Sequence, residues 1–433
     1  MMYRWAFSAI VAFFVGRCGK YRVRVTYADG SRRDFYAGGE APDIHIVFKT
    51  ARAERRAVLQ FYHGLIEAYI DGEVDLLGEQ AFRRLVEIAD TILENPGGRR
   101  SRAATLFGKN PIVCIKQVLQ EARQDNGSFA NARQNAIAHY GHAPEFYEVL
   151  LGDTVGYSEG YWPDGTETLN QAKHNFYDYI ARKLHIEPGH KVVEVGSGWG
   201  YLPMILARDY GAEVTVYNPI PRQNEYMRRR FERHGLGDAI RIVEKDHRQI
   251  QEAPNTFDRY VSIGVYEHAG RRHYRSWLDS IAATLKPNGL GLISTTAKMR
   301  REMTDYLTLK YVFPGGNVPS LPHTLAAMRE RGLTTLDVEN LWPHYARTAR
   351  CWLERLECEW QNIQKIDPAF FTERFRRIWT MYLSGISNTF HANLELVHIV
   401  FMKGRDENAY PWSRDYMYRA WRVKSEAEIN FVK

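Results

Sequence analysis

Residues 192–200, VVEVGSGWG, join an acidic side chain, Glu194, to a turn containing Gly196, Ser197, Gly198 and Gly200. A strand that ends in such a turn places bare backbone N–H groups and a helix N-terminus against a ligand, with no Cβ in the way. That chemistry suits a nucleotide-type cofactor. A dinucleotide fingerprint needs G-x-G-x-x-G and an acid about 20 residues later. The turn here is G-x-G-x-G, and neither requirement is met. S-adenosylmethionine fits better, because its sulfonium brings no pyrophosphate to bury.

Such a turn needs a scaffold. Alternation over 192–195 predicts a buried parallel strand, and 201–210 predicts a helix. Strands over 213–217 and 259–263 follow, then Leu285-Lys286-Pro287-Asn288-Gly289 ahead of a strand over 290–295 and a final strand over 396–402. Strands alternating with helices at this pace predict an α/β fold, a doubly wound and mostly parallel sheet with ligands at the carboxyl ends of its strands. With the L-K-P-N-G turn, this order resembles the Rossmann-like class I methyltransferases and implies seven strands.

Upstream, YRVRVTY and IHIVF within 21–48, with an Ala28-Asp29-Gly30 turn, read as a small β region. Helical spacing covers 54–69 and 79–93, broken at Asp71-Gly72, and 111–123 predicts a further helix. The boundaries that follow are a smaller α+β N-terminal domain over 1–100, a helical connection over 101–135 with its linker at 95–101, a methyltransferase domain over 136–404 and a tail over 405–433. An insertion over about 297–350 is expected to cap the substrate site.

With 433 residues, 45% hydrophobic and 25% charged, the chain is an ordinary globular composition, soluble or peripheral. Its net charge of +7 raises anionic partners, nucleic acid or an anionic bilayer. Arg228-Arg229-Arg230 with Arg233, Arg271-Arg272-His273 and Arg300-Arg301 are either solvated faces or headgroup contacts. Four scattered cysteines, Cys18, Cys114, Cys351 and Cys358, form no C-x-x-C pair and point to a reducing cytoplasm without structural zinc or another metal. The apolar stretch 5–15 between Arg4 and Arg17 is too short for a span of about 20 residues. No clean cleavage site follows it, so an uncleaved helix that packs on the domain or lies on a membrane is expected.

Several segments, in order, resemble the cyclopropane-fatty-acyl-phospholipid synthases and mycolic acid cyclopropane synthases. They are His139-Tyr140, Phe146-Tyr147, Tyr157-Ser158-Glu159-Gly160-Tyr161-Trp162, Gln171-Ala172-Lys173, the VVEVGSGWG turn, FDRYVS over 257–262, Val265-Tyr266-Glu267-His268-Ala269-Gly270, Phe313-Pro314-Gly315-Gly316, His344-Tyr345-Ala346-Arg347-Thr348 and 379–390. The match is strong over 136–403. It implies that S-adenosylmethionine methylates a cis double bond in a phospholipid acyl chain, giving a carbocation that loses a proton and closes a ring. An alkene is a poor nucleophile, so the site must be dry and aligned and must shield the cation. Tyr311, Phe313, Tyr345 and Trp352 are candidates to face that cation or are simple packing. For the cofactor, the resemblance carries over to Tyr157, Ser158, Glu194, Gly196, Ser197, Gly198, Gly200, Asn218, Gln223, Asp246 and His247. Asn218 and Gln223 can hydrogen-bond ribose hydroxyls, and Asp246 either accepts from the adenine amino group or only caps a helix.

The resemblance also implies a bound bicarbonate as general base, and here the chain departs from it. Glu267 and Tyr345 match, but Glu159 stands at the cysteine position, Ser294 at the histidine position and Thr296 at the isoleucine position. Ile386 replaces a cysteine elsewhere, which matters little because direct methyl transfer needs no covalent nucleophile. Glu159 either stands where bicarbonate would sit, as a built-in base, or pairs with a nearby Arg or Lys; Ser294 completes the expected catalytic set with Glu159, Glu267 and Tyr345. If the base is displaced, the proton can leave from an adjacent carbon and give a methyl-branched olefin. The expected partner is a bilayer surface with unsaturated acyl chains, at the cytoplasmic face of the inner membrane, with a homodimer allowed. Nucleic acid is not expected: no RNP or KH signature is present, and Asn218-Pro219 follows the wrong strand for an amino-methylating motif. A small-molecule methyltransferase on this fold is the remaining rival.

Overall fold

The computed structural model describes residues 2–35, 41–93, 110–391, 394–418 and 421–429. Contacts divide the chain into two units, Met1–Arg123 with Asp305–Val312 and Leu353–Asn393, and Gln124–Thr304 with Phe313–Trp352 and Leu394–Lys433. This division differs from the sequence boundaries because the first unit runs on to Arg123 and takes in two later segments, one within the insertion over about 297–350 and one beyond it. The 95–101 linker lies outside the described residues.

In the first unit, strands β1 (Val23–Thr26), β2 (Arg32–Phe35), β3 (Ile44–Phe48) and β4 (Val74–Leu77) form a sheet in the order β2-β1-β3-β4. Helix Met2–Cys18 buries Phe7, Val11 and Val15 in the same core as Val25, Ile46 and Phe48, so the apolar N-terminus packs on the domain. Among the described residues no helix is long and apolar enough to cross a membrane. The helical pattern over 54–69 splits into helices Ala51–Leu59 and Phe61–Ile70, because Phe61 takes a φ of 50°. Gly64 permits the bend: a Cβ there would lie 2.0 Å from the Arg56 carbonyl oxygen. β4, unexpected from sequence, is a short strand paired with β3.

The second unit carries β5 (Lys191–Val195), β6 (Glu213–Tyr217), β7 (Ile240–Val243), β8 (Phe257–Ile263), β9 (Leu285–Ala297), β10 (Leu333–Asn340) and β11 (Glu395–Lys403). They form one seven-stranded sheet, β10-β11-β9-β8-β5-β6-β7. β7-β6-β5-β8-β9 are parallel, and β11 and β10 join antiparallel at one edge. β5 is buried from Val192 to Val195, as a central parallel strand covered on both faces must be. Helix Leu169–Lys183 starts at a capping box between Thr168 and Gln171. β9 begins earlier than expected, since Leu285 already pairs with Phe257 and the L-K-P-N-G turn is absorbed as a register shift. β10, a half-exposed edge strand, was not anticipated by the periodicity.

Candidate active site

β5 delivers Glu194 to the glycine turn, and the turn opens helix Tyr201–Tyr210. Two glycines are required by space as well as by backbone. A Cβ on Gly196 (φ 74°) would sit 2.6 Å from Val265 Cγ2, and one on Gly200 (φ 85°) would sit 2.8 Å from Met227 and Phe231. A Cβ on Gly198 would meet nothing within 4 Å, so only its φ of 56° demands glycine. The carbonyls of Thr154 and Trp199 accept from Arg230 at 3.2 Å. Arg230 is therefore neither a solvated face nor a headgroup contact: at 2% exposure it clamps the turn from below.

Above the turn lies a cavity with about 1100 Å³ of empty space, part of it continuous with solvent. Each cofactor residue expected from the sequence lines it, except Gly200, which packs beneath. Glu194 Oε2, Ser197 Oγ and His247 Nε2 are buried there without a hydrogen-bond partner. Burial pushes the Glu194 carboxyl up to about 8. Buried polar atoms left unpaired are costly, so this wall is built to meet a polar ligand, and it fits S-adenosylmethionine. Asn218 Nδ2 donates to Asn224 at 2.8 Å and to Gln223 at 3.3 Å, fixing both amides in the wall. Asp246 lines the cavity and also caps the short helix His247–Glu252, while Arg248 engages both its carboxylate oxygens at 2.7 and 2.9 Å. His247 stacks on Trp277, and burial holds its pKa down at about 3.

The second cluster gathers at the carboxyl ends of β8 and β9. Ser294 Oγ donates to Glu159 Oε1 at 2.6 Å, and the Thr296 N–H donates to Glu267 Oε1 at 2.6 Å. Glu267 Oε2 is buried without a partner. Burial, with a small addition from Glu159, lifts the Glu267 carboxyl to about 7. Burial also opposes ionisation of Glu159, but hydrogen bonds from His398 and Ser294 outweigh it and hold that carboxyl below its usual range. Its partner is thus a histidine, His398, at 3.1 Å, rather than an Arg or Lys. The donors that would hold a bicarbonate are spent on the chain's own carboxylates, so the residues present do not fit that anion.

Aromatic rings wall this region. Tyr157 lies 5.3 Å from Trp352, Tyr345 meets Trp352 edge-on at 5.9 Å, and Phe313 lies 4.2 Å from His139. Tyr311 belongs to the first unit, where Lys310 and Arg374 face its ring. Sequence reasoning also missed the work of Lys173. This fully buried amine donates to the Ser158 carbonyl, to Ser158 Oγ at 3.2 Å and to the Glu159 carbonyl at 3.3 Å, fixing the segment that carries Tyr157 and Glu159. Burial brings its pKa down to about 7. His398 was missed as well. The only signal was one histidine in the apolar run of β11, and such a residue reads as core.

Over 417 residues the chain is 28% identical to a Pseudomonas putida protein named "Probable fatty acid methyltransferase", covering 92% of this chain and 96% of that one. It is 30% identical over 268 residues to the cyclopropane-fatty-acyl-phospholipid synthase of Escherichia coli K12, covering 61% of this chain and 67% of that one. Its fold matches a mycolic acid cyclopropane synthase crystallised with SAH and CTAB, with a TM-score of 0.58 at 24% identity over 63% of this chain and 98% of that one. Residues 128–400 match the mycolic acid cyclopropane synthetase family. The chain belongs to that family and is an S-adenosylmethionine-dependent methyltransferase of the cyclopropane and fatty acid methyltransferase group.

Proposed function

We propose that this enzyme methylates the cis double bond of an unsaturated phospholipid acyl chain and closes a cyclopropane ring after proton loss. The reading rests on two carboxylates, buried Glu159 and half-buried Glu267 with its Oε2 shut off from solvent, next in sequence to residues that line the cofactor cavity. Bound S-adenosylmethionine supplies an electrophilic methyl group. The faces of Tyr157, Trp352 and Tyr345 offer a cation on the acyl chain π density without a nucleophile. As the ring closes, the electron pair of the broken C–H bond forms the new C–C bond and the proton passes to a carboxylate. Glu159, kept ionised, and Glu267, poised near neutrality, give this step a built-in acceptor. An assay stripped of bicarbonate tests the built-in base: activity is expected to persist, and strict dependence on added bicarbonate sinks the idea.

A methyl-branched unsaturated product is the second reading, favoured by the altered base set of Glu159, Ser294 and Thr296. The similarity to the Pseudomonas putida protein over nearly its whole length supports it. Mass spectrometry of total fatty acids from expressing cells is expected to show acyl chains one CH2 heavier than their unsaturated precursors. Double-bond analysis then separates ring from branch, and an unchanged lipid profile defeats both readings. An anionic bilayer surface is the partner this reading calls for, and the net charge of +7 and exposed Arg228, Arg229 and Arg233 support it. Sedimentation with anionic vesicles, lost at high salt, is the expected result.

A further inference from the structure

A polar row crosses the sheet beneath Glu159. Glu339 on β10 pairs in register with His398 on β11, and His398 pairs with Ser294 on β9. Residues directly opposite one another share a sheet face, so three adjacent strands place a carboxylate, an imidazole and a hydroxyl in one line. Lys183, the last residue of helix Leu169–Lys183, reaches into that line with its side chain wholly buried. Its ammonium pairs with the Glu339 carboxylate and lies 3.1 Å from His398 Nδ1. Tyr179 donates to Glu339 at 3.0 Å and offers its ring to Lys183 at 4.6 Å. Burial works against the ammonium, while Glu339 opposes that effect. None of Lys183, Glu339 or Tyr179 belongs to the residues that the sequence marked for catalysis.

An ammonium has three donors and no acceptor. Beside it, His398 Nδ1 can only accept, so the ring proton must sit on Nε2, which lies 3.1 Å from Glu159 Oε1. Both side chains that donate to Glu159, Ser294 and His398, use that same oxygen. We propose that the Lys183–Glu339 pair is a positioning device that fixes His398 as the Nε2–H tautomer, so that Glu159 stays ionised and aimed with Oε2 turned to the reacting carbon. The last clause rests on the acyl-chain reading above; the tautomer does not.

The tautomer is measured first, in the full-length enzyme labelled with 15N-histidine, by long-range 1H–15N correlation with His398→Asn to assign the signal. The Nε2–H form is expected in the wild type, and an Nδ1–H form overturns the proposal whatever the substrate proves to be. The second measurement is a double-mutant cycle on methyl transfer to unsaturated phospholipid vesicles. Lys183→Met is expected to lower kcat by at least about tenfold, as a lost tautomer does elsewhere, with KM for S-adenosylmethionine unchanged. In a His398→Gln background, whose amide donates without any tautomer to fix, the same change is expected to cost less than about twofold. Lys183→Arg, which keeps a donor, restores most of kcat. Equal losses in both backgrounds overturn the proposal. If Lys183→Met fails to fold, Glu339→Gln, which weakens the ammonium and leaves the chain intact, is read in the same cycle. An Nε2–H tautomer found together with an unchanged lipid profile would reject the acyl substrate and leave the device standing.

Discussion

Glu67 in the first unit and Glu267 in the second are both buried carboxylates, yet they have opposite surroundings. Arg56, Lys116 and Lys310 all pair with Glu67, and these cations outweigh its burial to keep it below its usual range. Glu267 is met by the Thr296 backbone N–H and by neighbouring neutral groups rather than by cations, and burial lifts its carboxyl to about 7. Glu194 repeats the pattern at about 8. A buried charge compensated by the chain itself holds a unit together; one left uncompensated is reserved for a reacting group or a ligand.

The sharpest way to break this contrast is Glu267→Gln. It is expected to lower kcat by roughly 1000-fold, read from initial rates of methyl transfer. The same change should stabilise the protein at alkaline pH. A carboxyl raised in the folded state binds more protons than the unfolded chain between about 4.5 and about 7, so its contribution to stability falls as pH rises through that window. Removing it should return on the order of 3 kcal/mol at pH 8 and nothing at pH 4, read by urea denaturation. Glu67→Leu is expected to do the reverse, costing about 3 kcal/mol because three cations lose their partner. A neutral Glu67→Leu with a destabilising Glu267→Gln would dissolve the comparison.

Smaller effects sharpen it. The wild-type kcat should climb with pH to a plateau above about 7, as Glu267 ionises. Affinity for S-adenosylmethionine should rise by up to about tenfold per pH unit below about 8 and then level off, since a cationic ligand favours the ionised form of Glu194. Titration calorimetry in buffers of different ionisation enthalpy would show the released proton. Ser197→Ala should weaken the same binding by about 1 kcal/mol and change stability little, because its hydroxyl lines the cavity with Glu194 as its neighbour.

The cofactor end was legible in the sequence because its demands are local. A strand period, a left-handed turn and glycines with no room for a Cβ all lie within nine consecutive residues. Glu159, Ser294 and Glu267 were found through the order of motifs, but the partners that set their charge were not. His398, Lys183 and Glu339 meet through the pairing of β10, β11 and β9, and no short window carries that register. Arg230 was hidden by its neighbours, since a run of three arginines gives no sign of which one points inward. The break at Phe61 was illegible for another reason: a bulky residue with positive φ is held there by packing and leaves no mark on the pattern.

The pairing of Ser294 with His398 bears on how such enzymes diversify. Where the family resemblance expects an imidazole, β9 carries a hydroxyl, and the imidazole arrives from the neighbouring strand on the same face. A sheet thus has addresses that belong to no single stretch of chain. A chemical group can migrate between strands and keep its address, so two homologues can share a working constellation that a column-by-column alignment reports as lost.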